Sequence, residues 1–495
     1  MSETAGLRAP AGPPPRDSAV VLLVREGAEG RELFWLRRGD ALGFGAGMYA
    51  FPGGKLDPDD RRVPVEGASG LPAALLACAA RELFEETGVL LAEGTLGAEE
   101  RATLRRRLLE REVSFDGVLS SHGLHLSAAR FIPAGRWITP AFLPLGFDAR
   151  FFLAELPAGQ GARVHPAEAS EGGFVAPEAA LERWRRGGAL LHPPTLNALR
   201  AMREPTLEAV LRRLREPPFA ENHVAARIEF QEGIVLVPQR SETLPPATHT
   251  NCFLAGRSSV LVVDPGSDDP AERAALLAAI RALDTEGRRA SAVFLSHHHH
   301  DHASGAAGIA RELGLPILAH RATLDQLGLP GRAVGDGEAL GAPDFPLVAL
   351  QTPGHARGHL VLLHPPSRAV LAGDLVSSLS TIVIDPPEGN MIDYLSSLRR
   401  IRALPCGTLY PAHGAPVVDG PAKLSEYLTH RQMREDLLLE ALRREAATPA
   451  ELVPRVYADT PAPFHLIAER QTLAHLEKLA SEGRARERGG RWEAA

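Results

Sequence analysis

The residues best able to do chemistry lie in one short run, Ser296-His297-His298-His299-His300-Asp301-His302. The run follows the apolar segment SAVFLS and precedes small residues that are typical of a helix start. Imidazole is the commonest metal-binding side chain, and imidazoles combined with a carboxylate suit Zn²⁺ or a similar ion. Because the run is internal and lies between these two elements, we interpret it as a metal-binding turn at the carboxyl end of a strand.

Three other segments carry matching side chains at the ends of predicted strands. They are Thr352-Pro353-Gly354-His355, Ala372-Gly373-Asp374 and Tyr410-Pro411-Ala412-His413-Gly414. The ordered set HxHxDH, TPGHxxGH, GD and AHG resembles the metallo-β-lactamase fold of dinuclear metallohydrolases, over roughly residues 228–420. The resemblance implies an αβ/βα sandwich that holds two divalent metal ions.

The same resemblance implies a role for each histidine and aspartate of the motif. It places the first metal on His297, His299 and His355. It places the second metal on Asp301, His302 and His413, with Asp374 bridging the two ions and Asp301 also orienting the nucleophile. His298 and His300 fill variable positions, and we interpret His359 as a buried structural histidine.

The chemistry implied by such a site is metal-assisted hydrolysis. Two divalent ions about 3.5–4 Å apart lower the pKa of a water toward neutrality and polarise the attacked carbonyl or phosphoryl oxygen. A site rich in imidazole takes Zn²⁺ readily, and Mn²⁺ or Fe²⁺ fit the same ligands.

A second set of candidate residues lies in the segment Arg81-Glu82-Leu83-Phe84-Glu85-Glu86-Thr87-Gly88. Its three glutamates share one face of a predicted helix, where like charges repel one another. Mg²⁺ or Mn²⁺ held together with a diphosphate would offset that repulsion. The alternative is an ordinary solvated helix face, because runs of glutamate are common on exposed helices.

This helix, together with Phe51-Pro52-Gly53-Gly54 upstream, resembles the Nudix box, which cleaves diphosphate linkages. The spacing departs from the usual box, because 26 residues separate Gly54 from Arg81, about twice the usual number. Counted from the glycine, the position of the missing glutamate holds Asp60.

Insertions of this kind also occur in the coenzyme A diphosphatase-like branch of the Nudix proteins, which segments 47–54, 174–181 and 194–196 resemble. The resemblance implies that Glu82 is catalytic, that Glu85 and Glu86 bind Mg²⁺ or Mn²⁺, and that Arg81 orients the glutamates. It also implies that Gly53 or Gly54 presents backbone to the metal or the phosphate.

The apolar and charged pattern after residue 423 predicts three amphipathic helices, at 424–446, 449–456 and 464–482, and a hairpin that turns at Gly489-Gly490. This pattern describes a small winged helix, and residues 459–483 resemble the winged-helix tail of one metallo-β-lactamase-fold branch, which includes the mitochondrial β-lactamase-like endoribonuclease. The resemblance continues through residues 391–398. RNA is therefore a candidate substrate, with phosphates meeting the arginines of the wing, Arg484, Arg486, Arg488 and Arg491. Alternatively these arginines only solvate the hairpin, since Glu487 and Glu493 lie among them.

Apolar periodicity predicts the elements that must position these residues. Predicted strands are 18–25, 34–36, 48–51, 131–139, 147–156, 259–264, 291–296, 346–351 and 368–373. Predicted helices before the terminal three are 73–87, stopped by Gly88, and 177–186, 269–283 and 303–313.

A chain of 495 residues is expected to fold as several domains. We predict a multidomain protein: a disordered tail over 1–17, an α+β Nudix-like domain over 18–215, the αβ/βα sandwich over 228–420 and a small winged helix over 424–495. The net charge of −7 gives no general attraction to nucleic acid or anionic membrane. With three distant cysteines, no signal-like start and no long apolar run, we expect a cytoplasmic protein that does not span a membrane.

Three functional hypotheses follow. The first is hydrolysis of a small ester or thioester, with a coenzyme A derivative as a substrate that both catalytic domains could share. The second is cleavage of RNA phosphodiesters, with the winged helix as a docking module. In the third, the Nudix-like domain is a catalytically silent nucleotide sensor. The sequence does not indicate an oligomeric state.

Overall fold

The computed structural model describes residues 14–28, 30–39, 45–140, 146–166, 169–218, 220–221, 224–225 and 227–495. The chain divides into two compact units, Pro10–Val235 and Leu236–Ala495, called here the N-terminal and C-terminal units. The predicted winged helix lies in the C-terminal unit together with the predicted sandwich, except for residues 228–235 of the latter, which belong to the N-terminal unit. Within the described residues, no helix combines the length and apolar character needed to cross a membrane.

The described residues of the N-terminal unit form twelve strands and six α-helices. The strands are β1 (Arg16–Gly27), β2 (Gly30–Arg38), β3 (Tyr49–Ala50), β4 (Gly53–Lys55), β5 (Val65–Glu66), β6 (Leu126–Ser127), β7 (Ile132–Ile138), β8 (Phe147–Glu155), β9 (Ala169–Val175), β10 (Ala220–Glu221), β11 (Val224–Ala225) and β12 (Ile228–Gln231). The helices are α1 (Gly70–Thr87), α2 (Ala98–Leu109), α3 (Phe115–Ser121), α4 (Pro177–Arg185), α5 (Pro193–Ala201) and α6 (Leu207–Arg215).

The central sheet of this unit has the order β10-β11-β7-β8-β1-β2-β3, with β4 also paired to β1 and β9 to β2. Strand β1 is a continuous apolar run because both of its faces are covered. Val21 and Leu23 face a core that contains much of α1, whereas Leu22 and Val24 face a core built with α4, α5 and α6. The sheet is therefore a layer between two sets of helices.

Two predicted boundaries in this unit differ from the structure. The tail predicted over 1–17 lies mostly outside the described residues, but Arg16 and Asp17 already belong to β1 and pair with β8. The unit also continues past residue 215, because β11 pairs with β7 and extends the central sheet. Helix α1 ends as predicted at Gly88, whose φ of 75° is left-handed and whose N–H donates to the Phe84 carbonyl.

The C-terminal unit combines thirteen strands, the first of which begins at the unit boundary, with eight helices. The strands are β13 (Ile234–Arg240), β14 (His249–Ala255), β15 (Ser259–Val263), β16 (Arg289–Leu295), β17 (Ile317–Ala319), β18 (Arg332–Ala333), β19 (Ala339–Ala342), β20 (Phe345–Gln351), β21 (Leu360–His364), β22 (Ala369–Gly373), β23 (Leu409–Pro411), β24 (Ala485–Arg488) and β25 (Arg491–Ala494). The helices are α7 (Pro270–Thr285), α8 (His300–Ala303), α9 (Ala306–Leu313), α10 (Arg321–Leu327), α11 (Met391–Ala403), α12 (Gly420–Arg444), α13 (Pro449–Val456) and α14 (His465–Ser481).

Two sheets form the larger part of this unit, with the strand orders β13-β14-β15-β16-β17-β18 and β19-β20-β21-β22-β23. Backbone hydrogen bonds join their ends: Leu360 N–H donates to the Ser296 carbonyl at 2.9 Å, and Asn251 N–H donates to the Ala412 carbonyl at 2.7 Å. Strands β15, β16 and β17 are parallel, so their carboxyl ends lie along one edge. The residues that follow these strands are thereby brought together.

The helix predicted over 303–313 is interrupted in the structure. Helix α8 ends at Ala303 and α9 begins at Ala306. Gly305 lies at the break, where an added Cβ would come within 2.5 Å of the Ser267 carbonyl oxygen and 2.6 Å of that of Pro265. Close approach of these backbones, which hydrophobic periodicity does not report, explains the interruption.

The last part of the unit contains α12, α13, α14 and the antiparallel pair β24–β25, which turns at Gly489-Gly490. These elements share an apolar core that includes Leu438, Leu452, Leu476 and Trp492. Earlier in α12, Leu424 and Tyr427 pack instead against the second sheet and α11. Helix α12 therefore contributes to both cores.

Candidate functional site

The histidine run occupies the turn between β16 and α8, beside the end of β15. Asp264 follows β15 and binds this turn, because its two carboxylate oxygens accept from Ser296 N–H at 2.7 Å and from the Ser296 hydroxyl at 2.6 Å. It also accepts from His302 Nδ1 at 3.0 Å. Sequence reasoning gave Asp264 no role, although its place at the end of a predicted apolar strand was a usable signal.

Three ring nitrogens of the predicted first metal set converge. His299 Nδ1 lies 2.9 Å from His297 Nε2 and 2.9 Å from His355 Nε2. Burial, reinforced by neighbouring histidines, lowers the pKa of His297 well below its usual value and that of His299 to about 2. These imidazoles are therefore neutral at physiological pH, which is the form that binds metal.

The predicted second set lies beside the first, and Asp374 faces both. One Asp374 oxygen is 3.6 Å from His302 Nε2 and 3.4 Å from His413 Nε2, while the other is 3.5 Å from His355 Nε2. Asp301 completes the second set, with one oxygen 3.5 Å from His413 Nε2. All seven residues predicted as ligands in this unit thus surround one position.

Two buried polar atoms at this position have no hydrogen-bond partner among the described residues, His302 Nε2 and Asp374 Oδ1. Leaving such an atom unsatisfied costs about 1–3 kcal/mol. Burial lowers the pKa of His302, but the carboxylates of Asp374 and Asp301 outweigh it and raise that pKa well above the usual value. The donor set therefore favours a positive charge here, and a divalent cation fits it.

The second ring nitrogen of several histidines is held by a neighbouring group. His355 Nδ1 donates to the Val383 carbonyl at 2.7 Å, and His413 Nδ1 donates to the His249 carbonyl at 3.1 Å. Such contacts fix the tautomer and the ring orientation of a metal-binding histidine. The Nε2 atoms of His355 and His413 are consequently left to face the other ligands.

His359 lies next to the ligand set but is occupied by the protein. It is fully buried; its Nδ1 is 2.8 Å from the Thr352 hydroxyl, and its Nε2 accepts from Asp374 N–H at 3.0 Å. Burial lowers its pKa to about 3. This neutral ring supports the backbone of Asp374, in agreement with its interpretation as a structural histidine.

The two remaining histidines of the run point elsewhere. His298 Nε2 lies 3.2 Å from Glu388, whereas His300 is largely exposed and its Nδ1 is 4.0 Å from Glu242. His298, His299 and Glu388 form one more group that could hold a cation.

In the N-terminal unit, Arg81 is the centre of a carboxylate cluster. Its Nε and Nη2 atoms form a bidentate pair with Asp60 at 2.8 and 2.9 Å. Its Nη1 atom donates to Glu82 and Glu85, each at 2.9 Å. The extra residues between Gly54 and α1 therefore still bring an acidic side chain to Arg81.

The predicted glycines contact the same helix. Gly53 N–H donates to Glu86 at 2.9 Å, and a Cβ on Gly54 would lie 2.5 Å from a Glu82 oxygen. Burial raises the pKa of Glu85 to about 7 despite the nearby Arg81. Among the described residues, however, the groups of three or more ligand atoms within 4.8 Å of one another all lie in the C-terminal unit.

Comparison with known families matches two parts of the chain. Residues 245–413 match the metallo-β-lactamase superfamily, and residues 448–492 match the β-lactamase-associated winged helix domain. Residues 245–413 form a metallo-β-lactamase-fold hydrolase domain. A winged-helix domain follows it.

Relatives of the hydrolase domain include proteins from animals and fungi. A β-lactamase-like protein 2 homolog of Caenorhabditis elegans is 29% identical over 47% of this chain and 79% of its own length. The lactamase-like protein adaB of Aspergillus niger is 31% identical over 40% of this chain and 60% of its own length. An atrochrysone carboxyl ACP thioesterase of Aspergillus fumigatus is 30% identical over 39% of this chain and 44% of its own length.

Two solved structures each resemble part of the chain. A metallo-β-lactamase family protein from Thermus thermophilus is 25% identical, with a TM-score of 0.46, over 53% of this chain and 99% of its own. A Nudix hydrolase from Alicyclobacillus acidocaldarius is 29% identical, with a TM-score of 0.35, over 41% of this chain and 98% of its own.

The arginines predicted to form a basic patch on the wing are paired with carboxylates of the same domain. Arg486 and Arg488 both approach Glu493, at 2.6 and 3.3 Å. Arg484 lies 3.1 Å from Glu482, and Arg491 lies 2.9 Å from Glu451. The charge available to a phosphate backbone on this face is therefore reduced.

Replacing His299 tests the ligand set. The variant His299→Ala removes Nδ1, the atom that lies close to both His297 and His355. Changes to groups that only support a metal ligand typically lower metal affinity by about 10–100-fold. We expect His299→Ala to lower it by more than this. Elemental analysis and chelator competition on the purified full chain measure it. His300→Ala is the matched control from the same run and should bind metal like the unchanged protein. Equal metal binding by both variants would contradict the assignment.

Replacing Asp60 tests the cluster around Arg81. Asp60 is 1% exposed, so Asp60→Ala leaves a largely buried guanidinium short of its bidentate partner. We expect the free energy of unfolding to fall by about 3–5 kcal/mol. Urea titration followed by tryptophan fluorescence measures it, because Trp35, Trp137 and Trp184 are all in the N-terminal unit.

The control for this measurement is Asp59→Ala. Asp59 pairs at 3.1 Å with Arg62, and both side chains are more than half exposed. Such a surface pair contributes little, so a change within about 0.5 kcal/mol is expected. The role given to Asp60 is wrong if the two variants lose similar amounts of stability.

Proposed function

We propose that the hydrolase domain cleaves a small ester or thioester at a centre of two divalent ions. The observation that carries this proposal is the position of Asp374, whose two oxygens face His355 on one side and His302 with His413 on the other. A carboxylate in this position is suited to bridging two cations. Zn²⁺ fits the imidazole-rich donor set, and Mn²⁺ and Fe²⁺ fit it as well.

Bound ions would supply Lewis acidity, both to lower the pKa of a water and to polarise the carbonyl of the substrate. The protein supplies the arrangement. His297 and His299 are neutral, and the carboxylates of the site are those of Asp301 and Asp374. In this proposal Asp301 also orients the attacking water, because it lies at the outer end of the set and is only partly buried.

A thioester is the favoured substrate class because of the relatives. One of them is named an atrochrysone carboxyl ACP thioesterase, and it is 30% identical over 39% of this chain. Thioesters are commonly carried by ACP or by coenzyme A, and the ligand set does not distinguish between these two carriers. We therefore propose an acyl thioester of a pantetheine carrier as the substrate.

RNA receives less support as a substrate of this domain. Binding to RNA depends on basic groups that neutralise phosphates. The four wing arginines each have a carboxylate partner within 3.3 Å. Cleavage of RNA is therefore an outcome to test and not a second proposal.

For the N-terminal unit we propose a Nudix-type hydrolase of a diphosphate-linked compound, such as a coenzyme A derivative. The supporting observation is the contact of Gly53 N–H with Glu86, on a helix where Arg81 also holds Glu82 and Glu85. Glu82, Glu85 and Glu86 would hold Mg²⁺ or Mn²⁺, which bring the negative charges of carboxylate and diphosphate together. The competing proposal is a silent nucleotide sensor.

The hydrolase proposal predicts metal-dependent thioester cleavage. We expect the full chain to hydrolyse short acyl-coenzyme A or acyl-pantetheine thioesters, to lose this activity with a chelator and to regain it with Zn²⁺ or Mn²⁺. Asp301→Asn should lower kcat by about 10²–10⁴-fold, the range for a residue that handles the reacting water. Release of the free thiol is the measurement.

The control for that assay is Asp325→Asn, an exposed carboxylate on α10 whose partner Arg321 is 3.8 Å away. It should leave the rate of cleavage unchanged. Cleavage of single-stranded RNA that is lost in Asp301→Asn, without thioester cleavage, would replace the thioester proposal with the nuclease.

The diphosphatase proposal is best tested in a His299→Ala background, which removes the contribution of the hydrolase domain. With Mg²⁺ or Mn²⁺, we expect release of phosphomonoesters from coenzyme A, ADP-ribose or a dinucleotide. Glu85→Gln and Glu86→Gln should each lower this rate by about 10²-fold or more, whereas Glu99→Gln on the exposed start of α2 should not. Nucleotide binding without turnover in every variant would favour the sensor.

A further inference from the structure

The loop that follows Asp374, residues 376–390, contacts the ring of His355 through one backbone atom. The carbonyl oxygen of Val383 accepts from His355 Nδ1 at 2.7 Å. The orientation of this peptide group therefore decides whether His355 Nε2 faces Asp374 and His299.

The peptide groups on both sides of Val383 are bound by one side chain of the winged helix. Gln471, on α14, accepts from Ile384 N–H at 3.1 Å and donates to the Ile382 carbonyl at 2.8 Å. Gln471 is 4% exposed, so these contacts are shielded from competing water. A primary amide has the donor and acceptor needed to bind both groups at once.

Other side chains of the winged helix hold the same stretch of loop. Arg431 of α12 also donates to the Ile382 carbonyl. Arg470 donates to Asp385 at 2.5 Å and also to the Pro386 carbonyl. Ala474 packs in the apolar cluster that includes Ile382 and Ile384.

We propose that Gln471 is a positioning residue for the metal centre: it fixes the Val383 carbonyl and, through it, the ring of His355. The inference rests on the proposed metal-binding role of His355. It gives the winged helix a part in assembling the hydrolytic site. A supporting group of this kind typically changes metal affinity by about 10–100-fold.

The experiment compares Gln471→Ala with Gln432→Ala in the full chain. Gln432 is a matched control because it lies on α12 and its amide contacts only Asp436 of the same helix, at 2.9 Å. Metal affinity is measured by chelator competition with Zn²⁺, and hydrogen exchange is measured over residues 380–386. We expect Gln471→Ala to weaken Zn²⁺ binding by about 10–100-fold and to speed exchange at Ile384, with no change in Gln432→Ala.

A double-mutant cycle separates positioning from general destabilisation. In a His355→Ala background there is no ring for Val383 to orient, so adding Gln471→Ala should weaken residual Zn²⁺ binding little further. An effect as large as in the unchanged background would overturn the proposal. Gln471→Glu keeps the acceptor for Ile384 N–H and loses the donor for Ile382, so an intermediate loss of affinity is expected.

The two levels of inference fail in different ways. If the unchanged protein binds no Zn²⁺, Mn²⁺ or Fe²⁺, the proposed metal centre is wrong and the role of Gln471 falls with it. If the unchanged protein binds metal and Gln471→Ala binds it equally well, only the positioning role is wrong. Should Gln471→Ala fail to fold, the comparison of Gln471→Glu with Gln432→Ala decides by the same criteria.

Discussion

Asp374 brings a carboxylate into the interior of the hydrolase domain, between two groups of imidazoles. Burial by itself would raise the pKa of Asp374, but His413 and His302 outweigh this and hold that pKa well below its usual value. The negative charge is thus retained where water is scarce, and a buried charge is costly unless cations or donors surround it. The surrounding loops are arranged to meet this requirement: Asp264 binds His302, His359 binds the Asp374 backbone, and carbonyl groups hold His355 and His413.

In the N-terminal unit, clustered carboxylates are likewise stabilised by a positive charge, which here is the guanidinium of an arginine. Asp60, Glu82 and Glu85 converge on the guanidinium of Arg81, which offsets part of their negative charge. Glu86 instead turns to the backbone of Gly53. The protein therefore provides its own cation, Arg81, on one side of α1. This difference explains why the two candidate sites look unlike, although carboxylates are essential to both.

The sequence was informative where chemistry is concentrated in a few adjacent residues. The strands over 259–264, 291–296 and 368–373 could be predicted because apolar runs mark them, and the ligand set beyond them was implied by the resemblance of its motifs to the metallo-β-lactamase fold. Val383 and Gln471 could not be found in the same way. Val383 acts through its backbone, and Gln471 contacts a loop 87 residues earlier in the chain. Such long-range contacts leave no local periodicity.

The resemblance of the winged helix drew attention to the arginines of its wing, whereas the structure also shows contacts made by its helices. Its wing arginines could meet phosphates as single residues, but in the fold each has a carboxylate partner. Another face, formed by α12 and α14, contacts the backbone of 382–386 through the buried side chains of Arg431 and Gln471 and through the partly exposed Arg470. Buried side-chain hydrogen bonds are costly to break and specify one geometry. A domain attached in this way fixes the shape of a loop beside the hydrolytic centre, and this is a sufficient physical reason for it to accompany the hydrolase whether or not it binds nucleic acid.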